Sequence, residues 1–182
     1  MTTVSRRTLV LGGARSGKSR LAQDLAETAF GQRVYVATAQ GLDDEMRERI
    51  ARHRSERDDS WTTREAPLAL AEAIRRETAP ERVVLVDCLT LWLSNVLLAG
   101  ANVEQGTHDL VRAVAEAAGP LVLVSNEVGH GLVPETPLGR AFRDAQGRLN
   151  QRMAATCDAV VFMAAGCPLL LKPAPPLRLT LR

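Results

Sequence analysis

The chain has 182 residues, 46% of them hydrophobic and 24% charged, the ordinary globular balance with room for one domain and a real core. Its formal net charge of +2 is too small to point to nucleic acid or to an anionic membrane surface, so any basic character that matters is local. The apolar run at residues 9–11 ends at once in glycine, far short of a signal-peptide core or a membrane span.

In chain order, short apolar runs alternate with helical periodicity. Strands are expected at 8–11, 34–38, 83–86, 121–125 and 159–164. Helices are expected at 18–28, 43–57, 68–78, 103–117 and 138–156. A further helix is expected at 89–99, where the run is too apolar for its period alone to decide. The strand runs are near-continuous rather than alternating, as for strands covered on both faces. The pattern predicts an α/β fold, a single mostly parallel sheet flanked by helices. Gly31, Pro67, Pro80, Gly100, Gly119 with Pro120, and Pro134 to Pro137 mark the breaks. Residues 1–182 read as one domain, with the tail 173–182 either loose or carrying an appended edge strand at 177–182. Cys88, Cys157 and Cys167 are odd in number and lack metal-ligand spacing, which predicts buried, reduced thiols in a cytoplasmic protein.

The first strand runs directly into Gly12, Gly13, Ala14, Arg15, Ser16, Gly17, Lys18 and Ser19, and a helical pattern follows. Small residues at this spacing let successive backbone N–H groups turn inward around phosphate oxygens, and the new helix adds its positive end. Lys18 is placed to reach the β and γ phosphates, and the Ser19 hydroxyl to ligate Mg²⁺. Such a site needs a second acidic group, and Asp87 closes the run Val83-Val84-Leu85-Val86. Asp87 is either that metal ligand or the N-cap of the helix that begins at Leu89. Glu127 is a further acidic candidate at the same sheet edge, or else a solvated loop carboxylate.

The segment 43–57 is less generic. Asp43, Asp44 and Glu45 load the start of a helix with negative charge, and Arg47, Arg49, Arg52, Arg54 and Arg57 crowd the rest. These arginines suit a triphosphate or a phosphorylated substrate, or they form a solvated face with pairs Asp43–Arg47 and Glu45–Arg49. His53 lies on the stripe Met46–Ile50–His53. It is either packed at a core edge or, with arginines opposing its protonation, a neutral nucleophile. His108 and His130 lack such surroundings and read as structural or surface residues.

Several motifs come in one order: the loop 12–19, Tyr35-Val36-Ala37-Thr38-Ala39, Asp43-Asp44-Glu45-Met46 and Arg49-Ile50-x-x-His53. Trp61-x-Thr63-x-Glu65, Val86-Asp87-Cys88-Leu89-Thr90 and Ser125-Asn126-Glu127-Val128-Gly129 follow. Val133-Pro134-Glu135, Phe142-Arg143-Asp144 and Asn150-Gln151-Arg152 complete the series. From about residue 8 to residue 172 the chain resembles the bifunctional adenosylcobinamide kinase / adenosylcobinamide-phosphate guanylyltransferase family of cobalamin biosynthesis. It departs from the family pattern at His130, where an apolar residue is usual, and in its proline-rich tail.

The resemblance implies a P-loop, RecA-like domain, a homotrimer, and two reactions. A terminal phosphate passes from ATP or GTP to adenosylcobinamide. GMP then passes from GTP to adenosylcobinamide phosphate through a guanylylated histidine, which falls on His53. The family's guanine-nucleotide contacts fall on Ala37, Thr38, Ala39, Arg54, Ser55, Glu56, Arg57, Glu65 and Asp87. The substrates implied are GTP, ATP and the corrinoid, with Mg²⁺ and with no nucleic acid or membrane span. Two rivals predict different behaviour. A plain nucleotide or metabolite kinase would form no covalent species, and a regulatory GTPase would need a guanine-reading Asn-Lys-x-Asp element, which this sequence lacks.

Overall fold

The computed structural model describes residues 5–55 and 57–174. Strand β1 (Arg7–Gly12) leads into α1 (Lys18–Glu27), followed by β2 (Gln32–Ala37), α2 (Asp44–Ser55) and β3 (Trp61–Glu65). Next come α3 (Leu70–Glu77), β4 (Arg82–Asp87), α4 (Leu89–Leu98) and α5 (Val103–Ala115). The described chain closes with β5 (Leu121–Asn126), α6 (Pro137–Thr156), β6 (Ala159–Ala164) and β7 (Cys167–Lys172). The strands form one sheet in the order β3-β2-β4-β5-β1-β6-β7. All neighbours are parallel except the last pair, β6 and β7.

The near-continuous apolar runs divide by alternation between two cores. Leu9, Leu11, Val34, Val36, Val84, Val86, Leu121 and Leu123 face one core, shared with α3, α4, α5 and α6. Val10, Tyr35, Val83, Leu85, Val122 and Val124 face the other, where Ala22 and Ala26 of α1 pack. Burying both faces requires apolar residues at successive positions, which is why the central strands carry no alternating pattern.

The sheet has two strands more than the sequence predicts. In β3 only Trp61 is buried, so its Trp-Thr-Thr-Arg-Glu sequence carries no apolar run to recognise. The antiparallel edge strand is β7, and its residues are mostly exposed. The expected edge strand at 177–182 lies outside the described residues. Two left-handed residues, Ala165 (φ 51°) and Gly166 (φ 81°), make the tight turn from β6 into β7. The cysteines also depart from expectation: Cys88 and Cys157 are buried, but Cys167 is exposed on β7, and none is disulfide-bonded. Burial and the neighbouring Asp158 push the Cys157 thiol up to about 12.

Asp158 ties the starts of β1 and β6. Its carboxylate accepts the backbone N–H of Arg6 at 3.2 Å and of Arg7 at 2.9 Å, and pairs with the Arg7 guanidinium at 2.9 Å. The Arg7 side-chain hydrogen bond leads in holding this carboxyl below its usual range. Asp158→Asn is expected to cost about 1 kcal/mol near neutral pH, a value reduced for solvent screening because the carboxylate is 37% exposed. A depressed folded-state pKa contributes above the unfolded value of about 4, and the contribution is lost as pH falls toward the folded value. Thermal melts of the two proteins should therefore converge on acidification. A gap that stays constant down to strongly acidic pH would refute the charged pairing.

Candidate active site

The register brings Glu65, Ala37 and Asp87 abreast at the carboxyl edge of the sheet, and sets Asn126, Gly12 and Met163 abreast beside them. Ligands of open α/β sheets bind at this edge. The phosphate loop leaves it from β1. A Cβ on Gly12 would lie 2.6 Å from both the Met163 carbonyl oxygen and Ser16 Oγ, so only glycine fits. Gly17, at φ 92°, is the left-handed N-cap of α1, and Arg15 takes the same region at φ 55°. No side chain caps α1. Lys18 is buried at 7% exposure, and its Nζ donates to the Gly13 carbonyl at 3.0 Å. Its stem thus folds back over the loop that it serves.

Beside this loop lies a cavity of about 370 Å³. Lys18 and Ser19 form its floor, with Ala37, Ala39, Glu65, Asp87 and Asn126 from the strand ends. Met46, Ile50, His53, Arg54 and Arg57, on and just beyond α2, form its outer wall. Asp43 Oδ1 accepts the Met46 N–H at 2.7 Å and caps the helix. Arg47 pairs with Asp44 at 2.6 Å rather than with Asp43. The Arg49 side chain of the other expected pair lies outside the description. His53 is half-buried on the cavity wall and not in either core.

Asp87 is not a helix cap, since the N-cap of α4 is Cys88. Its carboxylate accepts the Tyr35 hydroxyl at 3.1 Å. Burial, reinforced by Asp87, pushes the Tyr35 phenol far above its ordinary value, so it stays a donor. The Arg57 guanidinium lies 3.5 Å over the Tyr35 ring and joins Asp87 to the arginine-rich segment. Burial and Asp87 also push the Cys88 thiol up to about 11, which removes it as a thiolate nucleophile. Ser19 and Asp87 share the cavity, and one hydroxyl with one carboxylate suits Mg²⁺, which takes its other ligands from phosphates and water. Among the described residues no cluster of three His, Cys, Asp or Glu side chains could hold a metal by itself.

Not every expected residue lines this cavity. Gly13, Ala14, Arg15 and Ser16 border a second cavity, of about 390 Å³, with Glu127, His130 and Phe162. Ser55 ends α2 with its hydroxyl on the Arg52 carbonyl, and Glu56 lies outside the described residues. Thr38 is fully buried, and its hydroxyl accepts the Cys88 N–H at 2.8 Å and donates to the Cys88 carbonyl at 2.7 Å. Asn95 Nδ2 holds the Thr38 carbonyl from α4 at 2.8 Å.

Two cavity residues carry more than their motifs suggest. One is Tyr35, the hydroxyl donor to Asp87. Asn126 presents a buried Oδ1 with no partner among the described residues, and it borders the cavity. A buried network fixes its backbone. Thr90 Oγ1 accepts the Asn126 N–H at 2.8 Å, and Asn150 donates to its carbonyl at 3.0 Å. Ser125, Gln146 and Asn150 are hydrogen-bonded to one another beneath it. The sequence signal was a polar pair, Ser125-Asn126, closing an apolar strand.

A strand, a glycine-rich loop, a helix opening on Lys18-Ser19 and an aspartate two strands away define a P-loop nucleotide-binding protein. Type III secretion ATPases share the fold. EscN of enteropathogenic E. coli superposes with a TM-score of 0.51 at 12% identity, over 88% of this chain and 43% of that one. A prototypical type III secretion ATPase gives 0.51 at 13% identity, over 86% of this chain and 50% of its own. Residues 8–171 match the family model described as cobinamide kinase / cobinamide phosphate guanyltransferase. The bifunctional adenosylcobalamin biosynthesis protein CobP of Pseudomonas aeruginosa is 47% identical, across 93% of this chain and 99% of its own. The CobU proteins of Salmonella typhimurium and Escherichia coli are 41% and 40% identical, each across 90% of this chain and 98% of theirs. The chain belongs to the cobinamide kinase / cobinamide phosphate guanyltransferase family and is thus a transferase of cobalamin biosynthesis.

Thr38→Val is expected to strand the Cys88 N–H, while the Cys88 carbonyl keeps the Trp92 N–H at 3.2 Å, and to cost about 1–3 kcal/mol. Urea unfolding checks this, and a loss under about 0.5 kcal/mol would mean that the turn between β4 and α4 does not depend on Thr38.

Proposed function

We propose that this chain phosphorylates the aminopropanol hydroxyl of adenosylcobinamide with ATP or GTP, then transfers GMP from GTP to adenosylcobinamide phosphate through a guanylylated His53. The observation that carries the reading is that His53 shares one cavity with Lys18, Ser19 and Asp87. In the transfer step a His53 ring nitrogen attacks the α-phosphorus of GTP. A P–N bond forms as the α–β bridging P–O bond breaks, its electron pair leaving with pyrophosphate. The ring loses a proton to solvent. An oxygen of cobinamide phosphate then attacks the same phosphorus, and the P–N electron pair returns to the imidazole, which regains a proton.

Lys18 and the loop amides offset charge on the pyrophosphate, and Arg54 and Arg57 stand beside His53 to do so at the α-phosphate. Mg²⁺ held by Ser19 and Asp87 would neutralise phosphate charge and orient the chain of phosphates. Ala37, Ala39, Glu65 and Tyr35 form the walls against which guanosine packs, while Thr38 acts through the backbone that it fixes. No helix among the described residues is long and apolar enough to cross a membrane. A cytoplasmic homotrimer is the setting that the family resemblance implies, and sedimentation tests the trimer.

The deciding test uses GTP labelled at the α-phosphorus, with Mg²⁺, followed by denaturation. Retained label that is lost in acid, survives alkali and maps to the His53 peptide is expected. His53→Ala should retain none, while its Kd for GTP stays within about threefold of wild type. Covalent label that persists in His53→Ala would sink the assignment. Absence of label in wild type that binds GTP would leave a simple kinase.

A further inference from the structure

We propose that the second cavity seats the purine nucleoside of the phosphate donor in the kinase step, so that one phosphate loop holds nucleotides in two opposite directions. The proposal rests on the two reactions given above. The phosphate loop is a ridge between two cavities with no lining residue in common. Lys18 and Ser19 face the cavity over β3, β2, β4 and β5, while Gly13 to Ser16 face the one beside β6.

In-line displacement fixes where each nucleoside must lie. In guanylyl transfer the attacked atom is the α-phosphorus and pyrophosphate leaves on the side away from His53. Guanosine therefore lies in the first cavity, with the diphosphate in the loop. In phosphoryl transfer the attacked atom is the γ-phosphorus. The acceptor oxygen bonds to it while the β–γ bridging P–O bond breaks. The electron pair leaves with ADP or GDP, and the hydroxyl proton passes to water. The nucleoside is now part of the leaving group and must lie on the side away from the acceptor. Lys18, Ser19 and Asp87, which serve the transferring phosphoryl group, all face the first cavity. The alcohol therefore enters there in both steps, and the donor nucleoside emerges on the other side.

The second cavity is built for that occupant. Its volume of about 390 Å³ suits a nucleoside. Phe162, Ala164 and Ala165 put apolar surface into its lining, with the His130 ring 6.2 Å from that of Phe162. Ser16 is only 8% exposed, and its Oγ has no partner among the described residues. The Glu127 carboxylate is within the same lining to accept ribose hydroxyls. Little here distinguishes adenine from guanine, whereas the first cavity sets Arg54, Thr63 and Glu65 around its occupant. The donor step should tolerate either purine, and the transfer step should not.

The test is photolabelling of the intact wild-type protein with azido-substituted ATP and Mg²⁺, joined to an Ala164→Trp variant that fills the second cavity from an exposed position. Crosslinks are expected at 127–130 or 162–166. Ala164→Trp should weaken Mg²⁺·AMP-PNP binding by about tenfold or more and raise KM for ATP in cobinamide phosphorylation. Its guanylylation by α-labelled GTP should stay within about twofold of wild type. Crosslinks confined to β2 and α2 would overturn the proposal, as would unchanged AMP-PNP affinity or equal loss of guanylylation. Photolabelling and AMP-PNP titration need no turnover, so they decide the donor site even if wild type neither phosphorylates cobinamide nor takes guanylyl label. That last result would count against the proposed function instead.

Discussion

No side chain fits on Gly12, and the site depends on that constraint. The backbone there passes between Met163 of β6 and the loop's own Ser16, too close for even a methyl group. This contact sets β1 tightly between β5 and β6 and starts the loop at the sheet edge. The brace continues on both sides. The Glu127 N–H donates to the Gly12 carbonyl at 3.1 Å as β5 leaves the sheet, and the Gly166 N–H donates to the Ser16 carbonyl at 3.0 Å from the turn between β6 and β7. A cradle fixed at both flanks presents its amides without reorganising, which is what makes backbone dipoles effective against phosphate charge.

Polar staples fix the rest of the edge where apolar packing runs out. Thr38 locks β2 to the turn after β4, and the Ser125–Gln146–Asn150 network anchors the end of β5. Each is buried, and most of their polar atoms are paired, so the low local dielectric strengthens them and makes any lost partner costly. Asp87 sits between these staples with Tyr35 as its donor. Tyr35 in turn carries Arg57 on its ring face, and the arginine-rich wall of the cavity is thereby tied to Asp87.

The central fold was legible because its signals are local. Apolar runs buried on both faces, turn residues and the glycine spacing of the loop each report on a few neighbouring residues. The edges were not. β3 buries only Trp61, and β7 lies exposed, so neither prints a hydrophobic pattern in the sequence. The division of the loop between two cavities was also hidden. It depends on which half of the sheet each loop residue faces, and hence on β5 inserting between β1 and β4. Asn126 could be read only as part of a motif, because its backbone is fixed at the cavity by Thr90 and Asn150 from distant segments. Arg47 chose Asp44 over Asp43 because Asp43 was already engaged in capping the helix.

The contrast between the cradle and the helix that carries His53 follows from the same packing. None of the described side chains of α2 is buried, and its apolar residues Met46 and Ile50 turn to the cavity and not to a core. The helix is held at its start by the Asp43 cap and by the bonds from Arg47 to Gly41 and Asp44. A ligand in the cavity would touch Met46, Ile50 and His53 of this helix, so ligand binding and the placement of His53 are thermodynamically linked. The linkage suits the covalent intermediate proposed for His53. In the proposed transfer the imidazole must approach the α-phosphorus for one step and then yield the same face to an incoming phosphate oxygen. A nucleophile anchored in the core would keep one fixed distance through both steps. A nucleophile on a lightly packed helix can approach over a rigid cradle and withdraw without disturbing it.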